Sequence, residues 1–140
     1  MALFNVFNIS GSAMEANSVR LNTVASNLAN ANSVASSEGG AYKAKHPLFK
    51  TIQDKALQEG GSPNAGGVQV VAVVESEKPA RKEYRPEHPM ANEEGYVFMP
   101  DVNVVDEMAD MIAASRAYQT NVSVSKSAKD MLSSTLQLGQ

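Results

Sequence analysis

Residues 7–31, FNISGSAMEANSVRLNTVASNLANA, carry the pattern that decides the fold. Phe7, Met14, Leu21 and Leu28 fall seven apart, and Val24 and Ala31 fill the alternate positions, which is the 3-4 spacing of a helical seam. The spacing predicts a helix over about 3–33. Two starts are open on this reading. Ser12-Ala13-Met14-Glu15 has the form of a capping box, while the seven-residue register runs back through Gly11 to Phe7. Either start keeps the seam.

A second helix is expected after Pro100. Asn103 is placed to cap it, Asp106, Glu107 and Asp110 lie near its positive end, and Lys126 and Lys129 lie toward the other. Gly139 is a suitable stop. Steps of four and three from Val104 visit Met108, Met111, Ser115, Tyr118, Val122, Ser125, Lys129, Leu132 and Leu136. Ala117, Val124, Met131 and Leu138 form a further row seven apart. Two rows on one helix imply more than one neighbour.

The segment between is a different material. All six prolines lie between residues 47 and 100, and seven of nine glycines lie between 39 and 95, so the helix breakers are confined to the middle. Val68-Gln69-Val70-Val71-Ala72-Val73-Val74 is β-branched and of strand length; Lys82–Arg85 and Tyr96–Met99 are shorter strand candidates. Gly60–Gly67 has turn chemistry. Ala41–Glu59 is expected to be extended at first and briefly helical near Ile52–Leu57. The expected fold is mainly α: long N- and C-terminal helices pair as a coiled coil, with a small irregular β-containing middle segment. The divisions are 1–34, 35–100 and 101–140.

Composition excludes several functions. The net charge of −3 is spread as about zero, −1 and −2 over those three segments, so no basic face is offered to a phosphate backbone and nucleic acid is not an expected partner. Cysteine is absent, which removes disulfides, thiolate metal sites and thiol nucleophiles together. The N-terminus has no early positive charge and no cleavage pattern, and no stretch approaches membrane-spanning length, so neither a cleaved secretory signal nor stable membrane insertion is expected. His46 and His88 each precede a proline and have no zinc-type spacing; they read as loop residues, and no metal or cofactor is expected. The glycine pairs lack a following Gly-Lys-Ser/Thr. The nine acidic residues of the middle segment could include a carboxylate pair for glycoside hydrolysis. There, acids alternate with Lys and Arg from Glu75 to Arg85, the pattern of a solvated surface.

Helix propensity argues for a subunit that needs neighbours. Eleven of residues 10–33 are Ser, Thr or Asn, which compete for backbone hydrogen bonds and together cost on the order of several kcal/mol relative to alanine. Isolated, such a helix melts. Burial of its seam, at roughly 25 cal/mol per Å² of apolar surface, would order it. An amphipathic helix packed only on its own domain would explain one stripe but not two C-terminal rows.

Both ends resemble the axial proteins of the bacterial flagellum. Leu21-Asn22-Thr23-Val24-Ala25-Ser26-Asn27-Leu28-Ala29-Asn30-Ala31-Asn32 is similar to the rod-and-hook signature with its Asn-Leu-Ala-Asn core. Ser115-Arg116-Ala117-Tyr118-Gln119-Thr120-Asn121-Val122 resembles the second signature of that family. Ser33–Glu38 intervene before Gly39-Gly40-Ala41-Tyr42, and this insertion, His88–Val97 and Pro100–Val104 resemble the FlgC-type proximal-rod branch. Ser33 stands where the family often has Thr, and Asp101 where Asn is common.

The resemblance implies a structural subunit of the flagellar basal-body rod, not an enzyme. Such a subunit is exported through the flagellar type III apparatus without a cleaved signal, and assembles helically into an axial shaft across the periplasmic space. Its partners would be copies of itself and other rod proteins, with the basal-body base and export gate nearby. The residues expected at the assembly interface are Met14, Leu21, Val24, Asn27, Leu28, Asn30, Met108, Met111, Arg116, Tyr118, Gln119, Asn121, Val122, Met131 and Leu132. Arg116 is expected to pair with acids or helix-end carbonyls of a neighbour, and Tyr118 to pack in the seam. A soluble coiled-coil adaptor and a wall-cleaving enzyme are the competing readings; a closed small oligomer would favour the first, and two carboxylates about 5 to 9.5 Å apart in a cleft the second.

Overall fold

A computed structural model of the chain describes residues 2–52 and 66–138. Its order is α1 (Ala2–Asn30), a 3-10 turn (Glu38–Gly40), β1 (Lys45–Thr51), β2 (Val68–Glu75), β3 (Arg81–Tyr84), β4 (Tyr96–Met99) and α2 (Val104–Leu138). Two long terminal helices thus enclose two small antiparallel ribbons, β1–β2 and β3–β4. The most extensive contact in the molecule is between α1 and α2.

The start of α1 follows the register, not the capping box. Ser12 does not begin the helix: its hydroxyl donates to the Ile9 carbonyl (3.0 Å) and accepts from the Val68 N–H (3.2 Å), tying α1 to the first ribbon. The helix stops three residues short of 33 because Ser33 gives both its N–H (2.9 Å) and its hydroxyl (2.8 Å) to the Asn30 carbonyl. Those bonds close the last turn. At the other end Asn103 caps α2: its side-chain oxygen accepts from the Val105 N–H (3.1 Å) and its amide donates to Asp106 (2.7 Å). The Gly139 stop and the Leu138 side chain lie outside the described residues.

The polar residues that lower helix propensity are largely satisfied within the helices. Asn17, Thr23 and Asn30 on α1, and Thr120, Asn121, Ser123 and Thr135 on α2, each donate to the carbonyl four residues back. Turned inward in this way, they leave a narrow helix surface that another helix can approach closely.

In the middle, β2 and β4 fall where their β-branched and aromatic runs predict, and β3 lies one residue earlier than expected. β1 corrects the reading of His46 as a loop residue, since His46-Pro47 sits inside it. A proline is tolerated there because Pro47 faces Val73 in a position where its nitrogen points to the ribbon edge. A bulge at Leu48/Phe49 leaves Val71 unpaired. The second ribbon is bridged to the end of α1 through reciprocal bonds between Ala35 and Phe98 (2.9 Å each). Gly95 turns its loop at φ +80, where a Cβ would lie 2.9 Å from Tyr84. The helical turn expected near Ile52–Leu57 and most of the Gly60–Gly67 turn lie outside the described residues.

Among the described residues, seven of the eleven buried hydrophobic ones are alanines, so these elements bury little apolar surface of their own. Their large side chains lie elsewhere.

Candidate assembly surface

α1 and α2 run antiparallel. Asn27 bonds Glu107 near one end, and near the other Val6 lies across a groove from Val124, Ala128 and Met131. The line of contact is made of small residues. On α2, Glu107, Ala114 and Ala128 are buried and Asn121 half-buried, each seven apart; on α1, Ser10 and Val24 are buried and Asn17 half-buried, and Ala31, just past its end, is buried in the same seven-residue phase.

The apolar row stepped off from Val104 is not the centre of this contact. Of the α2 row Val104, Met108, Met111, Ser115, Tyr118, Val122, Ser125, Lys129, Leu132 and Leu136, only Met111, Ser115, Ser125 and Leu132 are half-buried, and none is buried. The contact centre lies one residue earlier in each heptad, because alanine and asparagine permit an approach that methionine and valine would block. On α1, Phe7, Met14, Leu21 and Leu28 flank the line and are half-buried.

The displaced rows are therefore free. At 100° per residue, Met108, Val122 and Leu136 fall on one side of the contact line and Val124 and Met131 on the other. All five are exposed, Met131 by 59% and Val122 by 43%. Val105 and Ile112 lie exposed on the far face. One helix therefore presents large apolar side chains on both flanks of a partner that covers neither.

Among the described residues, Asn27 is the most completely used side chain. It is 0% exposed, and all four of its hydrogen-bonding positions are filled. Its amide donates to the Lys45 carbonyl and to Glu107 Oε1, both at 2.9 Å. Its oxygen accepts from the Lys45 N–H (2.8 Å) and the Tyr42 hydroxyl (3.0 Å). It thereby mimics a strand partner for Lys45 while joining α1 to α2. Tyr42 also lies 3.0 Å from the Ser26 hydroxyl.

Of the expected interface residues, Val24 and Asn27 are covered by their own chain. Met14, Leu21, Leu28, Asn30, Met111, Asn121 and Leu132 are half-buried along the helix pair. Met108, Arg116, Tyr118, Gln119, Val122 and Met131 are exposed. Among the described residues the ion pairs are Lys78–Asp101 (3.6 Å) and Arg85–Glu83 (2.9 Å), so the Arg116 charge is uncommitted. Sequence reading missed Tyr42, Lys45 and Glu107 as partners of Asn27; the one available signal was a buried carboxylate position, Glu107, in phase with Ala114 and Ala128.

Other chemistry is sparse. Among the described residues no group of His, Cys, Asp or Glu could hold a metal ion, and no helix is long and apolar enough to cross a membrane.

Two family models match: one described as flagella basal body rod protein over residues 7–35, and one as flagellar basal body rod FlgEFG protein C-terminal over residues 93–138. Along its whole length the chain is similar to proteins named flagellar basal-body rod protein FlgC. It is 48% identical to that of Escherichia coli O6:H1 and 47% identical to that of Salmonella typhimurium, over all of both chains in each case. The relative from Borreliella burgdorferi is 31% identical over all of this chain and 99% of its own.

Proposed function

Because this chain belongs to the FlgC family of flagellar basal-body rod proteins, and is therefore a structural rod subunit and not an enzyme, we propose that its paired terminal helices are the unit of rod assembly. The observation that carries this reading is the division of labour on α2: small residues face α1, while large apolar residues on both flanks stay exposed. Each such side chain is already about half covered, so a neighbour that covers the rest contributes on the order of 1 kcal/mol.

On this reading, segments 1–34 and 101–140 form the inner layers of the rod and segment 35–100 faces outward. The rows seven apart on both helices suit coiled-coil packing, within a subunit and between subunits. The interface comprises the flanking and half-buried residues, Met14, Leu21, Leu28, Asn30, Met108, Met111, Tyr118, Asn121, Val122, Met131 and Leu132. Val24 and Asn27 hold the pair together from within. Arg116 pairs with acids or helix-end carbonyls of a neighbour, with Gln119 beside it, and the methionines adapt to neighbours that are not equivalent. Neighbours are other copies and other rod proteins, with the base and export gate close by. The contacts are heterologous and do not close, as an open helical rod requires. Export without a cleaved signal and a position across the periplasmic space complete the reading.

Amide hydrogen exchange tests it. In the isolated subunit the amides of α1 and α2 remote from the Asn27–Glu107 junction should exchange fast, because a thin alanine contact and a polar-rich helix give little protection there, and they should become protected in the rod. Slow exchange throughout both helices of the isolated subunit would contradict the dependence on neighbours.

A further inference from the structure

The two ribbons leave two strand edges uncommitted. In β1–β2, the bond from the Ser76 N–H to the Ala44 carbonyl (2.7 Å) fixes the phase of the ladder. Residues 46 and 74 then bond one another, and Val73 and Glu75 turn their main-chain groups away from β1. The opposite edge is closed, since Asn27 holds both groups of Lys45 and Pro47 has no N–H to offer. In β3–β4, the bond from the Arg85 N–H to the Gly95 carbonyl (2.9 Å) sets the phase so that Lys82 and Tyr84 point outward from β3. The outer edge of β4 is closed by Ala35 on Phe98 and by Asn92 on Tyr96. Among the described residues, nothing pairs with the main-chain groups of Val73, Glu75, Lys82 or Tyr84.

We propose that the open edge of β2 in one copy pairs antiparallel with the open edge of β3 in the next, in the register Glu75 opposite Lys82 and Val73 opposite Tyr84. The proposal rests on the reading that copies of this chain assemble with one another. In this register the outward-facing main-chain groups of both strands match two residues apart, as an antiparallel ladder requires. It also sets opposite charges face to face and a β-branched side chain against an aromatic one, both favourable cross-strand pairs. Val73 and Tyr84 are exposed by 45% and 63%, and neither Glu75 nor Lys82 has an ion pair among the described residues.

Two further observations point the same way. Monomeric proteins blunt long open edges with charge or proline, yet Val68–Val74 carries neither. The two edges differ, so their pairing is heterologous and propagates without closing. A hairpin within one chain would use the same register, but the linker prevents it. Ser76 is bonded to Ala44, Lys78 pairs with Asp101 at 3.6 Å, and Ala80 packs against Ala35, Ala41 and Phe98, which holds β3 on the other ribbon.

The absence of cysteine makes the test clean. Full-length chains carrying only Val73→Cys and only Tyr84→Cys are mixed, assembled and oxidised; facing residues of such a ladder lie within disulfide reach, at about 5.5 Å between Cα atoms. Glu75→Cys with Lys82→Cys is a second pair that spares the Tyr84–Tyr96 ring contact. The mixed disulfide should be the dominant crosslinked product for both pairs, and a chain with both cysteines of a pair should give a ladder of linked copies. Homodimers of Val73→Cys alone, a disulfide closed within the doubly substituted chain, or no mixed product in assemblies that form normally would each overturn the pairing. Sedimentation of the unaltered chain is the companion measurement: failure to self-associate would overturn the copy-to-copy reading, and this pairing with it.

Discussion

Val122→Asp is expected to leave the isolated subunit folded and to abolish its incorporation into the rod. Val122 is 43% exposed in the chain and lies on the flank that α1 does not cover. A carboxylate there stays hydrated in the monomer, so the unfolding free energy should change by no more than about 0.5 kcal/mol. In the assembled rod the same carboxylate would be buried without a partner, at a cost of several kcal/mol that recurs in every copy, on the order of the desolvation penalty of a buried ion. Urea unfolding reads the first effect, and a motility assay with a parallel export assay reads the second. Leu28→Asp should also abolish assembly, but because Leu28 is half-buried in its own chain it should in addition lose about 1–3 kcal/mol of stability. Motile cells carrying Val122→Asp would show that this row is not covered in the rod.

Asn27→Leu should produce the largest loss of subunit stability of any single substitution on α1, about 3–5 kcal/mol. Leucine keeps the volume roughly constant but leaves the Glu107 carboxylate, both main-chain groups of Lys45 and the Tyr42 hydroxyl without the partner they now share. Leaving buried groups unpaired costs more than the bonds themselves contribute. Tyr42→Phe removes a single donor to Asn27 and should cost only about 1 kcal/mol. Denaturant midpoints measured on both variants check the ranking. An Asn27→Leu subunit within 1 kcal/mol of the unaltered one would show that water replaces these bonds and that the site is less closed than its geometry indicates.

The partition of the chain is legible in the sequence because proline and glycine act locally: they confine irregular structure to the middle and leave two uninterrupted helices. The same locality makes the Asn103 cap and the valine run of β2 readable. β1 is legible only as an extended stretch, not as a strand, because a proline reads as a strand breaker unless the edge it faces is known, and that edge is a property of the ladder. The contact line on α2 escapes for a different reason. Periodicity analysis rewards large apolar side chains, whereas two helices in close contact select Ala114, Asn121 and Ala128 and push Met108 and Val122 aside. The sequence therefore marks the exposed apolar rows more clearly than the row that joins the two helices. Asn27 shows the limit most plainly: its motif is visible, but its partners lie 15, 18 and 80 residues away, and only the fold brings Tyr42, Lys45 and Glu107 to one point.

The antiparallel α1–α2 pair and its uncovered flanks make one measurement decisive, a density map of the assembled rod at side-chain resolution. The account predicts the same helix pair in every copy, with the Asn27–Glu107 contact intact, with Met108, Val122, Val124 and Met131 covered by neighbouring chains, and with differences between copies concentrated in residues 34–67. A rod in which the pair is opened or re-registered from copy to copy, or in which both flanking rows of α2 face solvent, would contradict it.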